Sequence, residues 1–318
     1  MNTRFTRSGF SSVLALCLYL VILVSQPSRA QDGEIRLNTL IDLLEKEQPA
    51  FGVLSFDYSL DNARAMATSG LDFLFIDMEH SPFDSERLRS FLLGMTNKRS
   101  IQEKGNLQPD VVPLVRIPAA GGSEELVAQV KQVLDVGAYG VFFPAIEDRQ
   151  QAELAVRATR YPQYNGADDF EPAGLRGRNP ANAAWYWGIR DYHDRADVWP
   201  LDPKGELLAI MFIESPAGVD NIEEIISVPG VGGIFIGPSD LSTSMGFESP
   251  AAPEVEAAIQ TVLAACLAHD VPCAITTNAR TVEQRLQQGF RFVTVGIDGG
   301  LPSGARNALN IGREAAGR

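Results

Sequence analysis

A (β/α)8 TIM barrel is the fold class this 318-residue chain predicts, on three observations. Short apolar runs alternate eight times with segments of helical periodicity, the pattern of a parallel sheet covered by helices. Four of the apolar runs end in ionisable residues. Phe73–Asp77 leads into Glu79 and His80, Val111–Val115 into Arg116, Leu207–Ile213 into Glu214, and Val231–Ile236 into Gly237-Pro238-Ser239-Asp240. Burying such groups is costly unless they are paired or used, and a barrel brings all its strand ends to the one face where barrel enzymes keep their chemistry. The competing topology, an open doubly wound sheet, calls for a glycine-rich phosphate loop after the first strand, where this chain has Phe56-Asp57-Tyr58.

Taken in order, the N-terminus reads as a secretory signal peptide over residues 1–30. Arg4 and Arg7 precede the apolar run Val13–Val24, and Ser28-Arg29-Ala30 sets small residues at a cleavage site; an uncleaved membrane anchor is the alternative. Cleavage leaves no membrane segment and places the protein in the periplasm or outside the cell. Residues 31–318 are then one barrel domain. A net charge of −13 argues against nucleic acid as a partner. Beyond the leader only Cys266 and Cys273 remain, without zinc spacing, as either a bridge or two buried thiols.

Leu37–Glu47 has the spacing of an amphipathic helix, stopped by Pro49. A strand over Phe51–Ser55 and a helix over Ser59–Thr68 follow, then strand Phe73–Asp77 with helix Ser85–Met95. Asn97–Asp110 is polar and reads as an exposed loop. Strand Val111–Arg116 precedes a helix over Ser123–Val136, with Ser123 as the expected N-cap. Strand Gly140–Pro144 and helix Asp148–Thr159 complete the first half. An insertion at 160–205 then interrupts the alternation. It holds all three tryptophans and His193, and reads either as a lid or subunit contact over the barrel mouth, with Arg176 brought there by Gly174-Leu175-Arg176-Gly177, or as a surface insertion that packs down. Strands Leu207–Ile213, Gly233–Ile236, Cys273–Thr276 and Phe292–Gly296 follow, with helices Val219–Ile226, Glu254–Ala268, Val282–Gln288 and Leu301–Glu314.

The strand-end residues suggest roles. Glu214 and Asp240 are two hard oxygen ligands for a divalent ion such as Mg²⁺, Mn²⁺ or Co²⁺, or else an arginine partner and a turn cap. His80 is a candidate base whose ring Asp77, three residues earlier, would orient. Arg116 is placed to stabilise an oxyanion, or to pair with Glu79 or Glu214. The amides of Ser239 and Asp240 offer a cradle for a substrate carboxylate, Pro238 having no N–H to give.

These residues lie in stretches that resemble the HpcH/HpaI aldolases, metal-dependent class II pyruvate aldolases with a phosphoenolpyruvate/pyruvate-type barrel. The stretches are Ile76-Asp77-Met78-Glu79-His80-Ser81-Pro82, Val115-Arg116, Leu134-Asp135-Val136-Gly137-Ala138, Ala155–Pro162, Gly174–Gly177, Ile213-Glu214 and Val231–Ser242, in family order over most of the chain. The resemblance implies Glu214 and Asp240 as metal ligands, Asp77 with His80 as the base dyad, and Arg116 as the enolate stabiliser. It also implies that the Ser239 and Asp240 amides hold the pyruvate carboxylate, and that the protein is a homo-oligomer, a hexamer or trimer of dimers. Phe212 departs from it, since family members often carry glutamine there. The expected function is carbon–carbon cleavage of a 4-hydroxy-2-oxo acid to pyruvate, or a related 2-oxo acid, and an aldehyde. A Schiff-base route is disfavoured because no lysine stands at a strand end. The alternatives are an enzyme like citrate lyase β or malyl-CoA lyase, and a non-catalytic exported protein that binds 2-oxo acids.

Overall fold

Eight parallel strands close on themselves in the order β1-β2-β3-β4-β5-β6-β7-β8, in a computed structural model that describes residues 35–119, 122–167, 169–299 and 301–318. The signal-peptide reading over 1–30 lies outside the described residues. The compact barrel unit spans Arg36–Arg318. Its elements are α1 (Thr39–Glu45), β1 (Ala50–Ser55), α2 (Leu60–Ala67), β2 (Phe73–Asp77), α3 (Ser85–Gly94), α4 (Lys98–Lys104), β3 (Val112–Arg116), α5 (Ser123–Asp135), β4 (Gly140–Phe143) and α6 (Arg149–Thr159). Then come α7 (Ala181–Trp187), α8 (Tyr192–Arg195), β5 (Leu208–Ile213), α9 (Pro216–Asp220), α10 (Ile222–Ile226), β6 (Val231–Ile236) and α11 (Pro238–Ser244). The chain closes with α12 (Pro253–Ala268), β7 (Cys273–Thr276), α13 (Val282–Gln288), β8 (Phe292–Ile297) and α14 (Ser303–Ala315).

The strands read as continuous apolar runs because both faces are covered, by side chains inside the barrel and by helices outside. Phenylalanines fill the interior. Phe75 of β2 stacks on Phe142 of β4 with centroids 4.1 Å apart, Phe212 of β5 stacks on Phe235 of β6 at 4.6 Å, and Phe75 meets Phe235 edge-on at 5.4 Å. Rings from β2 and β6, which are not neighbours in the sheet, can meet only within the barrel. Gly52 makes room for another interior ring, since a Cβ there would lie 2.4 Å from a carbon of Phe73.

Helix starts follow local capping chemistry. Asn38, Ser59, Asp84 and Asp148 each accept from first-turn amides. Three expectations need correction. The supposed loop 97–110 contains α4, capped by Asn97 and closed by Gly105 in the left-handed region at φ 70°. With no buried residue in it, α4 lacks the apolar periodicity that marks a helix. The N-cap of α5 is Gly122 rather than Ser123, which is already helical. The helix expected over Val219–Ile226 is split at Asn221 into α9 and α10.

The 160–205 segment joins the end of α6 to the start of β5, so it lies at the N-terminal ends of the strands. It is not a lid over the mouth. Arg176 does not reach the mouth either: it is buried, donates to Asp135 Oδ1 at 2.8 Å at the end of α5, and donates to the Tyr192 hydroxyl at 3.0 Å. The segment packs down, held by Arg160, whose guanidinium donates to both oxygens of Asp197 at 2.7 and 2.8 Å. Cys266 and Cys273 are free and buried, and burial followed by the neighbouring Cys266 thiol raises the Cys273 thiol far above its usual range.

Candidate active site at the C-terminal rim

The register of β2 on β3 sets Asp77 opposite Arg116. Arg116 Nε donates to Asp77 Oδ1 at 2.9 Å and Nη2 donates to Oδ2, a two-point clamp, while Nη1 lies 3.1 Å from Glu79 Oε2. The guanidinium carbon sits 5.2 Å from the centre of Phe75 and 5.3 Å from that of Phe212, so the aromatic filling of the barrel is also the floor of the site. Phe212, the departure from the family pattern, therefore has a definite place beneath Arg116. Asp77 is fully buried and Arg116 nearly so, which fixes the cation in one orientation.

His80 lies beyond the last strand residue, and its side chain is 58% exposed. The reading of Asp77 as the carboxylate that orients the His80 ring meets a competitor here. Arg116 takes the Asp77 carboxylate, and Asp77 Oδ1 also accepts the backbone N–H of Glu79 at 3.0 Å and of His80 at 3.4 Å. Asp77 thus shapes the turn that carries His80, while the carboxylate beside the imidazole is Glu79, with Oε2 3.6 Å from Nε2. Burial raises the Glu79 carboxyl above its ordinary range, with Arg116 and His80 opposing the shift. From the sequence alone Glu79 is an ionisable group and a partner for Arg116, with no part in the chemistry. Its place between the candidate base and the candidate cation was the available signal.

Glu214 follows β5, and its Oε1 accepts the Ala145 N–H at 2.8 Å. Ala145 holds a left-handed backbone, φ 53°, uncommon for a residue with a side chain and of the kind that recurs at functional sites. Burial pushes the Glu214 carboxyl up to about 7; the negative charges of Glu79 and Asp240 add to this, and the Ala145 N–H and Arg116 work against it. Gly237 is required beside it: a Cβ at that position would lie 2.7 Å from a Phe212 ring carbon and 2.9 Å from Glu214 Oε2. β6 then turns at Gly237 into α11, leaving the first-turn amides of Ser239 and Asp240 without carbonyls one turn back, next to the exposed Asp240 carboxylate.

The loop after β1 completes the rim. Asp298, just past β8, accepts through Oδ2 from Ser55 Oγ at 2.6 Å, from the Phe56 and Asp57 amides at 3.0 and 3.1 Å, and from Asn62 Nδ2 at 2.9 Å. This pins Tyr58, whose hydroxyl donates to the Asp77 carbonyl and whose pKa burial raises to about 12, so it stays a donor.

Glu214 and Asp240 suit a hard divalent cation: they are oxygen donors, and the Asp240 carboxylate adds to what disfavours the charge on Glu214 until a cation arrives. The tighter acidic group formed by Asp169, Asp197 and Asp202, with oxygens within 4.8 Å of one another, lies in the 160–205 segment at the other end of the barrel, and Arg160 already pairs with two of its members.

A closed barrel whose C-terminal rim gathers a histidine, a clamped arginine and the carboxylates of Glu79, Glu214 and Asp240 defines a (β/α)8 enzyme. Residues 58–305 match the HpcH/HpaI aldolase/citrate lyase family, and the chain belongs to it. It is 32% identical over 261 residues to a 5-keto-4-deoxy-D-glucarate aldolase of Salmonella arizonae, covering 81% of this chain and 90% of the relative. It is 34% identical over 279 residues to a 4-hydroxy-2-oxo-heptane-1,7-dioate aldolase of Shigella boydii, covering 86% and 93%. A solved HpcH/HpaI aldolase/citrate lyase family protein from Burkholderia cenocepacia superposes with a TM-score of 0.68 at 33% identity, over 87% of this chain and 97% of that one. A citrate lyase β subunit from M. tuberculosis, solved with oxaloacetate and magnesium, shares the fold at 14% identity and a TM-score of 0.53, over 86% and 99%.

Proposed function

We propose that the protein is a metal-dependent carbon–carbon lyase that cleaves a 4-hydroxy-2-oxo acid to pyruvate, or a related 2-oxo acid, and an aldehyde. The observation that carries this reading is the grouping of Glu214, its carboxyl pushed up to about 7, with Asp240, Glu79 and Arg116 at one rim. The relatives at 32% and 34% identity are both named as aldolases, which favours this reading over a citrate-lyase-like one. Glu214 and Asp240 would hold the divalent ion, Mg²⁺, Mn²⁺ or Co²⁺. When bound, such an ion acts as a Lewis acid that lowers the cost of an enolate by several kcal/mol, on the order of what metal catalysis supplies elsewhere.

The chain's own groups do the rest. The Ser239 and Asp240 amides bind the substrate carboxylate. His80, held by the turn on Asp77 and flanked by Glu79, accepts the proton of the 4-hydroxyl. The C–O bond becomes the aldehyde carbonyl, the C3–C4 bond breaks, and its electron pair passes into the pyruvate enolate. Arg116 donates two of its five N–H groups to Asp77 and pairs through Nη1 with Glu79, and its remaining N–H capacity serves the enolate oxygen. Protonation at C3 then gives the methyl group of pyruvate.

Deuterium uptake into the methyl group of pyruvate, followed by NMR with and without Mn²⁺, tests the reading without knowledge of the aldehyde. Metal-dependent exchange that disappears in His80→Ala and Glu214→Ala is expected. Pyruvate binding without exchange would instead support a non-catalytic binding protein. Export to the periplasm or beyond, with cleavage after Ala30, and assembly as a hexamer or trimer of dimers belong to the same proposal. They rest on the character of residues 1–30 and on the family resemblance. N-terminal sequencing of protein recovered from the periplasm and light scattering of the purified protein test them.

A further inference from the structure

At the far end of the barrel, in the connection from α6 to β5, a cavity of about 830 Å³ opens, a volume in the range of small-molecule sites. Two chemically different groups line it. Tyr161, Arg176, Arg178 and His193 form one. Arg176 lies 4.4 Å from the Tyr161 ring centre, the His193 ring meets Tyr161 edge-on at 4.6 Å, and Arg178 Nε donates to His193 Nε2 at 3.2 Å. Asp169, Asp197 and Asp202 form the other.

The first group contains two donors that find no acceptor among the described residues. The Tyr161 hydroxyl and Arg176 Nη1 are buried, on residues 6% and 1% exposed, and have no hydrogen-bond partner among the described residues. Buried polar atoms are normally satisfied, and leaving one unsatisfied is costly. Both residues line the same cavity, the two atoms themselves being out of water's reach, so an acceptor that presses in from the cavity as far as them would relieve two penalties together. The second group offers carboxylate oxygens, which accept from hydroxyl or ammonium hydrogens. A resident metal ion explains this cavity poorly, because Arg160 already supplies a cation to Asp169 and Asp197 and because the orphaned groups are donors.

We propose that this cavity is a second ligand site, remote from the catalytic rim, for a small carboxylate whose far end carries hydrogen-bond donors. The carboxylate lies at the Tyr161–Arg176–Arg178 end and the donors face Asp169 and Asp202. Arginine recognises a carboxylate by paired charge-assisted bonds, and this part of the chain takes no part in the proposed lyase chemistry. The donor end can come from hydroxyls, as in a sugar acid, or from an ammonium, as in an amino acid.

Isothermal titration calorimetry on the full-length chain separates the cases, with D-gluconate as the hydroxyl probe, 4-aminobutyrate as the ammonium probe and propionate as a carboxylate with no donors. Saturable binding of gluconate or 4-aminobutyrate, with none of propionate, is expected, and whichever binds identifies the donor end. Arg178→Ala and Asp202→Asn, both at solvent-accessible positions, are each expected to weaken that binding about tenfold and to leave pyruvate deuterium exchange unchanged. Glu214→Gln should leave it intact. Binding of neither probe would overturn the proposal. So would binding that is lost in Glu214→Gln and kept in Arg178→Ala, because that pattern puts the ligand at the rim.

Discussion

Arg116 and Asp77 carry opposite charges in a nearly water-free place, and each is costly there without the other. Arg116→Ala is therefore expected to lower turnover by about 10²-fold or more and to destabilise the fold by about 3 kcal/mol, through loss of the proposed enolate donor and exposure of an unpaired Asp77. Steady-state kinetics and chemical denaturation read the two effects separately. Lysine at this position should rescue stability better than turnover, since an ammonium cannot reproduce the planar clamp. Glu214 makes a pH prediction. In the folded, metal-free protein its carboxyl titrates near 7, above the range of an unfolded glutamate. Between those values the folded state holds a proton that the unfolded chain has released, so this group's contribution to stability is full at low pH and is lost as pH rises through about 7. The metal-free protein should show a lower Tm at pH 8 than at pH 5.5, and Glu214→Gln should reduce that difference. Metal affinity should run the opposite way, weakening below pH 7 as protons compete for the same oxygens. Calorimetric titration with Mn²⁺ at the two pH values checks it.

At the scale of elements, the rim depends on turns as much as on strands. Gly237 lets β6 pass beside Glu214, and Gly237→Ala should displace that carboxylate and cut Mn²⁺ affinity while leaving the barrel folded; far-UV circular dichroism and metal titration together check this. Asp298 ties the end of β8 to the end of β1, the loop after it and α2 through four hydrogen bonds. Asp298→Ala should cost about 2–3 kcal/mol, the usual penalty for stranding buried donors, and should free Tyr58 from the Asp77 carbonyl. The measurements are denaturation and amide hydrogen exchange across 55–62, with no change expected around α12.

For the whole molecule, the barrel serves both fold and chemistry through one aromatic cluster. Phe75 and Phe212 fill the interior and support Arg116 from below. Phe75→Ala is expected to destabilise by about 3–5 kcal/mol, as large core truncations do, and also to loosen Arg116, so activity at a temperature where the variant is still folded should fall as well. The two ends of the barrel divide the work. Strand C-termini hold the acids, arginine and histidine of the proposed lyase site, and the α6–β5 connection builds a separate polar cavity around Arg176 and Tyr161. Among the described residues, no helix is long and apolar enough to cross a membrane.

Much of this was legible in the chain itself. Strand identity follows from apolar runs that must be covered on both faces, and their alternation with amphipathic helices leaves few architectures, of which the closed barrel is the one observed. The ionisable residues that end those runs follow from the same logic, because a strand that breaks its apolar pattern at its C-terminus sends that side chain to the rim. Helix α4 escaped because it buries nothing, and a helix without an apolar stripe is visible only by its caps. Partner choice was not legible. Whether Asp77 serves the ring of His80 or the guanidinium of Arg116 depends on the register of β2 against β3, and whether Glu79 reaches His80 depends on the turn that Asp77 holds. The side of the barrel taken by the 160–205 segment was likewise a tertiary matter. Chain direction through β5 sends it to the N-terminal face, away from the mouth that its aromatic residues suggested. Local pattern determines which residues are buried and which are spent at strand ends, whereas pairing among charges several ångströms apart is decided only when register and packing bring particular atoms within hydrogen-bonding distance.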